Sequence, residues 1–139
     1  MIRLLDTNAY AGLKRGHEGV ARLVRASSEL AISMVVVGEL LFGFRNGTRY
    51  ERNASELDEF LAQARVRLLP VTRTTADRFG RIAASLRKAG KPIPSNDIWI
   101  AAHTFESGGE LITFDRHFEA VPGLTWAHVA VRSAGSAST

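Results

Sequence analysis

The sequence predicts an α/β protein built on a mostly parallel central sheet. Short runs rich in β-formers alternate along the chain with segments of helical periodicity, and two of those runs stop on an acid: Leu5 leads into Asp6, and Phe114 into Asp115. Strands that alternate with helices pair in parallel and are covered on both faces. In open sheets of this kind ligands bind beyond the carboxyl ends of the strands, so both acids fall at the ligand-binding edge.

Taken in order, Ile2 to Leu5 is the first strand, followed by a helical pattern at Val20, Leu23 and Val24. Leu30 to Met34 reads as the second strand. Two helices follow, marked by Val37, Leu40, Leu41 and Phe44 and then by Leu57, Phe60, Leu61 and Ala64. Val66 to Val71 is the third strand, and Ala76, Phe79, Ala83 and Leu86 mark a helix over 73–90 that Gly90, Pro92 and Pro94 close. Ile98, Ala101, Ala102 and Phe105 mark a fifth helix, closed by Gly108 and Gly109, before strands at Leu111 to Phe114 and Leu124 to Trp126. The segment 90–94 reads as a mobile loop, and the small, polar tail 133–139 as disordered.

Composition narrows the function. The chain of 139 residues, 45% hydrophobic, suits one core in a single domain over residues 1–132. No run reaches the roughly 20 apolar residues of a membrane span, and no signal-peptide pattern opens the chain, so a cytoplasmic protein without a membrane partner is expected. Cysteine is absent, which removes disulfides, zinc-thiolate sites and thiol catalysis. The 18 Lys and Arg exceed the 14 Asp and Glu, for a pI near 10.1, so charge alone admits an anionic partner such as nucleic acid.

Two further acids stand out. Glu39 is the sole charge in "SMVVVGELLFGF", a stretch apolar around the whole helix that therefore reads as buried, where an unpartnered carboxylate would cost several kcal/mol. Asp97 lies in "PIPSNDIWIAAH", just inside a helix that Ser95 or Asn96 can cap. Each acid except Glu39 has a plain reading: Asp97 as a first-turn acid favoured by the helix dipole, Asp6 and Asp115 as turn residues or N-caps. Four acids at one sheet edge repel each other unless a cation sits among them. Mg²⁺ or Mn²⁺ prefers such oxygen donors, activates water and stabilises a phosphodiester's leaving oxygen.

The order Asp6 in "LLDTN", Glu39 in "VVVGELLFG", Asp97 in "SNDIWIAA" and Asp115 in "LITFDRHF" resembles the acidic quartet of PIN-domain ribonucleases, especially the VapC-type toxins of toxin–antitoxin pairs. The likeness spans nearly the whole chain, and the acidic pattern shows no departure. It implies an α/β/α sandwich, a single PIN-like nuclease domain over 1–132, and Mg²⁺-dependent (or Mn²⁺-dependent) endonucleolytic cleavage of RNA. It also implies inhibition by a cognate antitoxin, in a toxin homodimer or a toxin–antitoxin hetero-oligomer. Asp6 and Asp97 match the main metal ligands, Glu39 and Asp115 complete the catalytic cluster, and Thr113 matches a small hydroxyl position that supports the site.

Other residues have roles outside that pattern. Arg78, Arg81, Ser85 and Lys88 form a polar stripe, with Arg87 and Lys91 nearby, that reads as a solvated face or an RNA rail. His103 and His117 lack a second ligand at metal-typical spacing, so surface or capping roles are expected and neither is assigned catalysis. The apolar faces over residues 35–61, including Phe42, Phe44 and Phe60, exceed what one small core needs and suggest an interface. Rival readings are a receiver-like Mg²⁺-binding phosphoacceptor domain, an Asp-x-Asp phosphatase and a non-catalytic RNA- or partner-binding module. The first two need acids that "DTN" and "VRLLPVT" do not supply, and a pure binder has no reason to keep Glu39.

Overall fold

Apolar β-formers at both flanks of the chain meet at its middle. The computed structural model describes residues 1–132, and the tail 133–139 expected to be disordered lies outside them. Ile2–Leu5 (β1) lies at the centre of a five-stranded sheet of order β3-β2-β1-β4-β5, formed with Glu29–Ser33 (β2), Val66–Leu69 (β3), Glu110–Thr113 (β4) and Trp126–His128 (β5). Every pairing is parallel. The helices are Thr7–Lys14 (α1), Glu18–Arg25 (α2), Met34–Arg45 (α3), Tyr50–Leu61 (α4), Arg73–Lys88 (α5) and Ser95–Ser107 (α6), with a 3₁₀ turn at Arg116–Ala120. The α/β class and its parallel sheet are therefore as the sequence predicts. No helix among the described residues is long and apolar enough to cross a membrane.

Register is set at the amino edge of the sheet by a charge pair. Arg3 stands opposite Glu110 across β1 and β4, and its Nε donates to Glu110 Oε1 at 2.8 Å, with both side chains largely buried. Its Nη1 donates to Ser27 Oγ and the Leu23 carbonyl. Beside it Gly109 lets the strands close, because a Cβ there would stand 2.6 Å from the Ile2 carbonyl oxygen. Above this pair the sheet is apolar: Leu4, Leu5, Leu30, Ile32, Leu111 and Ile112 are buried, with Ile100 of α6 and Phe118 packed among them. The pair thus fixes which strand residues reach the opposite edge.

Several elements depart from the sequence reading. α1 carries no apolar stripe, only small Ala9 and Gly12 beside Tyr10, yet all three are buried because the helix packs directly on the sheet. β4 stops at Thr113, leaving Phe114 and Asp115 in the loop beyond, and β5 begins two residues later than the apolar run Leu124 to Trp126. α3 is not buried all round. Only Val36 and Leu40 are buried along it, while Phe42 is 69% exposed and Gly38 and Gly43 face open space. Of the aromatics offered as an interface, Phe60 is in the core edge-on to Tyr10, Phe44 packs partly against it, and Phe42 alone is free.

α3 is held at its start by a buried relay. Ser33, the last residue of β2, accepts from the Val35 amide at 3.1 Å and lies 2.8 Å from His103 Nδ1. His103 Nε2 reaches the Pro70 carbonyl at 2.9 Å; since a carbonyl only accepts, Nε2 carries the proton and Nδ1 accepts from the Ser33 hydroxyl. His103 is 1% exposed, which corrects the surface role expected of it. The relay ties β2, the segment after β3, and α6 into one corner.

Candidate active site

Asp6 follows β1 directly and caps α1, its Oδ1 accepting from the Ala9 amide at 2.8 Å. Asp115 follows β4 and caps the 3₁₀ turn. The capping reading of both acids is correct, and it does not exclude the other, because the helical turns that they cap start at the carboxyl edge of the sheet. Asp6, Glu39, Asp97 and Asp115 all line one open cleft of about 480 Å³, together with Thr7, Asn96 and His117. Four positions far apart in sequence converge there.

Each acid is held by neighbours. The buried Thr113 hydroxyl accepts from the Asp115 amide at 3.0 Å and donates to Asp6, so one side chain joins the two strand-end acids. Glu39 accepts from the Thr7 hydroxyl and, at 3.2 Å, from the Asn96 side-chain amide. Asp97 lies in the first turn of α6, which begins after Pro94 with no side-chain cap, so neither Ser95 nor Asn96 has the capping role expected of it. Asn96 is turned to Glu39 instead.

His117 is the residue that sequence reasoning missed. Its Nε2 lies 2.6 Å from Asp97 Oδ2 and its Nδ1 3.0 Å from Asp115 Oδ1, so the ring bridges two of the acids. The buried Nε2 nevertheless meets no hydrogen-bond partner in good geometry. It is an orphaned polar atom pressed against a carboxylate. The surface or capping role is corrected accordingly; the one local signal was its place two residues after Asp115 on a tight turn.

Electrostatics single out Asp6. Burial pushes its carboxyl up to about 6, against the hydrogen bonds from Thr113 and Ala9 that favour the charge, and Asp97 and Asp115 push the same way as burial. Burial also holds Asp97 above the ordinary carboxylate range, with Glu39 and Asp115 adding to the effect and His117 opposing it. Carboxylates raised by burial and by one another are groups whose charged form a cation would stabilise. Among the described residues no group of three or more His, Cys, Asp or Glu is arranged to hold a metal ion as it stands, since each acid is turned to a protein partner. The donor chemistry still fits a hard divalent ion: four carboxylates with hydroxyl and amide oxygens beside them, and no sulfur.

The polar stripe of α5 is exposed at Arg81, Ser85 and Lys88, as a solvated face would be. Arg81 pairs with Asp77 at 3.1 Å, and Arg78 lies over the Phe105 ring at 5.3 Å. Trp99 stacks on Phe79 with ring centroids 4.1 Å apart.

Residues 3–124 match the PIN domain. The chain is 36% identical over 124 residues to ribonuclease VapC2 of Haemophilus influenzae, covering 87% of this chain and 92% of that one. It is 30% identical over 124 residues to the tRNA(fMet)-specific endonuclease VapC of Salmonella typhimurium, with the same shares. Among solved structures it resembles VapBC2 from Rickettsia felis bound to a promoter DNA fragment, at a TM-score of 0.80 and 26% identity, covering 92% of this chain and 98% of that one.

Proposed function

This chain belongs to the PIN-domain family, and from that membership we propose that it is the endoribonuclease toxin of a toxin–antitoxin pair, cleaving RNA phosphodiester bonds in a reaction that needs Mg²⁺ or Mn²⁺. The observation that carries the reading is the convergence of Asp6, Glu39, Asp97 and Asp115 on one cleft, with Asp6 buried at its floor and raised to about 6. Ribonuclease relatives at 30–36% identity over most of both chains support it.

Asp6 and Asp97 are the principal ligands in this reading, with Glu39 and Asp115 completing the set directly or through water. The ion, when bound, lowers the pKa of a water and offsets the charge developing on the phosphodiester. The remaining chemistry belongs to the chain. Thr113 links Asp6 to the Asp115 backbone, Thr7 and Asn96 aim Glu39, and the His117 ring bridges Asp97 and Asp115. Caps and hydroxyls on α1, α3 and the turn after β4 hold the acids at one edge of the sheet, so metal binding has only to turn side chains that already share the cleft.

A cognate antitoxin is the protein partner, as in the VapBC complexes of Rickettsia felis and Haemophilus influenzae that this fold resembles. Self-association into a dimer belongs to the same proposal. The test is single-turnover cleavage of a susceptible RNA at saturating Mn²⁺, with a chelator arm. Asp6→Asn and Asp97→Asn should each lose more than about a hundredfold in rate, the order expected when a major electrostatic contributor goes. Near-wild-type rates in both variants, or cleavage indifferent to chelator, would return the acids to caps and turns.

A further inference from the structure

An acidic cleft repels the polyanion it is meant to cut, so the strand must be held from just outside it. Adjoining the cleft and sharing His117 with it is a second open groove of about 550 Å³, lined by Lys91, Pro92, Ile93, Arg116, His117 and Glu119. Lys91 follows α5 and Arg116 follows Asp115, so the two cations approach the groove from unrelated elements. Both are exposed, and neither has an ion-pair partner among the described residues. Arg3, Arg25, Arg52, Arg67 and Arg81 are paired with acids, and among the exposed cations without an ion pair Lys91 and Arg116 are the two that line this groove. Two cations against Glu119 leave the groove net positive. Past Pro92 and Ile93 it meets an apolar recess of about 310 Å³ that Arg87 and Ile98 help to line.

Positive charge beside an apolar ledge suits single-stranded nucleic acid, whose phosphates seek cations while its bases seek apolar surface. Building on the ribonuclease reading above, we propose that Lys91 and Arg116 form a phosphate subsite that holds the RNA strand next to the bond being cut, so that the strand leaves the acidic cleft past His117 and over the 90–94 segment. The charge order along this track is acid centre, imidazole bridge, basic groove. It orients the strand by placing the cation-poor end at the scissile bond and the cation-rich end beside it.

The probe is a fluorescein-labelled oligouridine, titrated at several KCl concentrations into protein carrying Asp97→Asn to prevent cleavage. Adding Lys91→Ala and Arg116→Ala should weaken binding about tenfold at low salt and reduce the slope of log affinity against log salt by about 0.7 per cation removed, the single-strand value. In the cleaving protein the same pair should raise KM with little change in kcat, and Mn²⁺ affinity by calorimetry should stay as in wild type. Arg52→Ala, which removes a cation paired to Glu56 on α4, should leave binding and slope unchanged. An unchanged slope in the double variant, while wild type still cleaves RNA, overturns the subsite alone. A wild type that neither cleaves RNA nor binds oligouridine overturns the ribonuclease reading and the subsite together, and a lowered Mn²⁺ affinity would reassign Arg116 to support of the acids.

Discussion

Asp6 carries two duties that pull in opposite directions. As an N-cap it stabilises α1, and as a buried carboxyl raised to about 6 it opposes folding once ionised. A group whose pKa is higher folded than unfolded favours the fold at low pH, and that contribution is lost as pH rises through the folded value. The window here runs from about pH 4 to pH 6, and the cost at neutral pH is on the order of 2–3 kcal/mol at about 1.4 kcal/mol per unit. Asparagine keeps the cap and removes the charge. Asp6→Asn should therefore raise stability in chelator at pH 7 by that order, with the advantage fading toward pH 4, as urea titrations at the two pH values would reveal. A variant less stable than wild type at pH 7 would mean that the carboxylate's bonds from Thr113 and Ala9 outweigh its burial. The same residue scale separates what the sequence disclosed from what it did not. Asp6 and Asp115 were visible because a strand ending on an acid is a local pattern, whereas His117 acquires its role only from Asp97, twenty residues earlier in the chain and on another element.

At the scale of elements, the Ser33 relay is the joint on which α3 turns. Its hydroxyl serves both as the acceptor for the Val35 amide and as the donor to buried His103. Ser33→Ala removes a cap and orphans a buried imidazole nitrogen, so a loss of about 1–3 kcal/mol is expected from both effects. Chemical denaturation should show a lower midpoint with an unchanged slope; a loss under about 0.5 kcal/mol would mean that water replaces the hydroxyl without penalty. Sequence periodicity found α4, α5 and α6, where apolar residues recur one turn apart, and it missed α1, whose buried face consists of Ala9, Tyr10 and Gly12. Small residues buried by close packing leave no hydrophobic stripe to read. It also over-read α3, where composition announced burial on every side while the fold leaves the Phe42 face open. Composition reports what a helix can bury, and only the neighbours decide what it does bury.

At the scale of the molecule, an acidic cleft in a protein of net charge +4 marks a division of labour between local and global fields. The open Phe42 face of α3 is the exposed apolar surface nearest Glu39, and partner binding is expected to draw on it. Light scattering of the isolated protein at micromolar concentration should report a dimer, and a co-encoded small protein should co-purify with it and suppress cleavage; a persistent monomer counts against the first, and absence of any complex against the second. The sheet order has a consequence in time. β1 emerges first but sits at the centre, and its second flank is filled by β4, residues 110–113, from the last third of the chain. A polypeptide synthesised only through α5 contains Asp6 and Glu39 and has neither Asp97 nor Asp115 to set against them. The four acids can share one cleft only after β4 pairs beside β1, so the complete site is a product of the last part of the chain to be made.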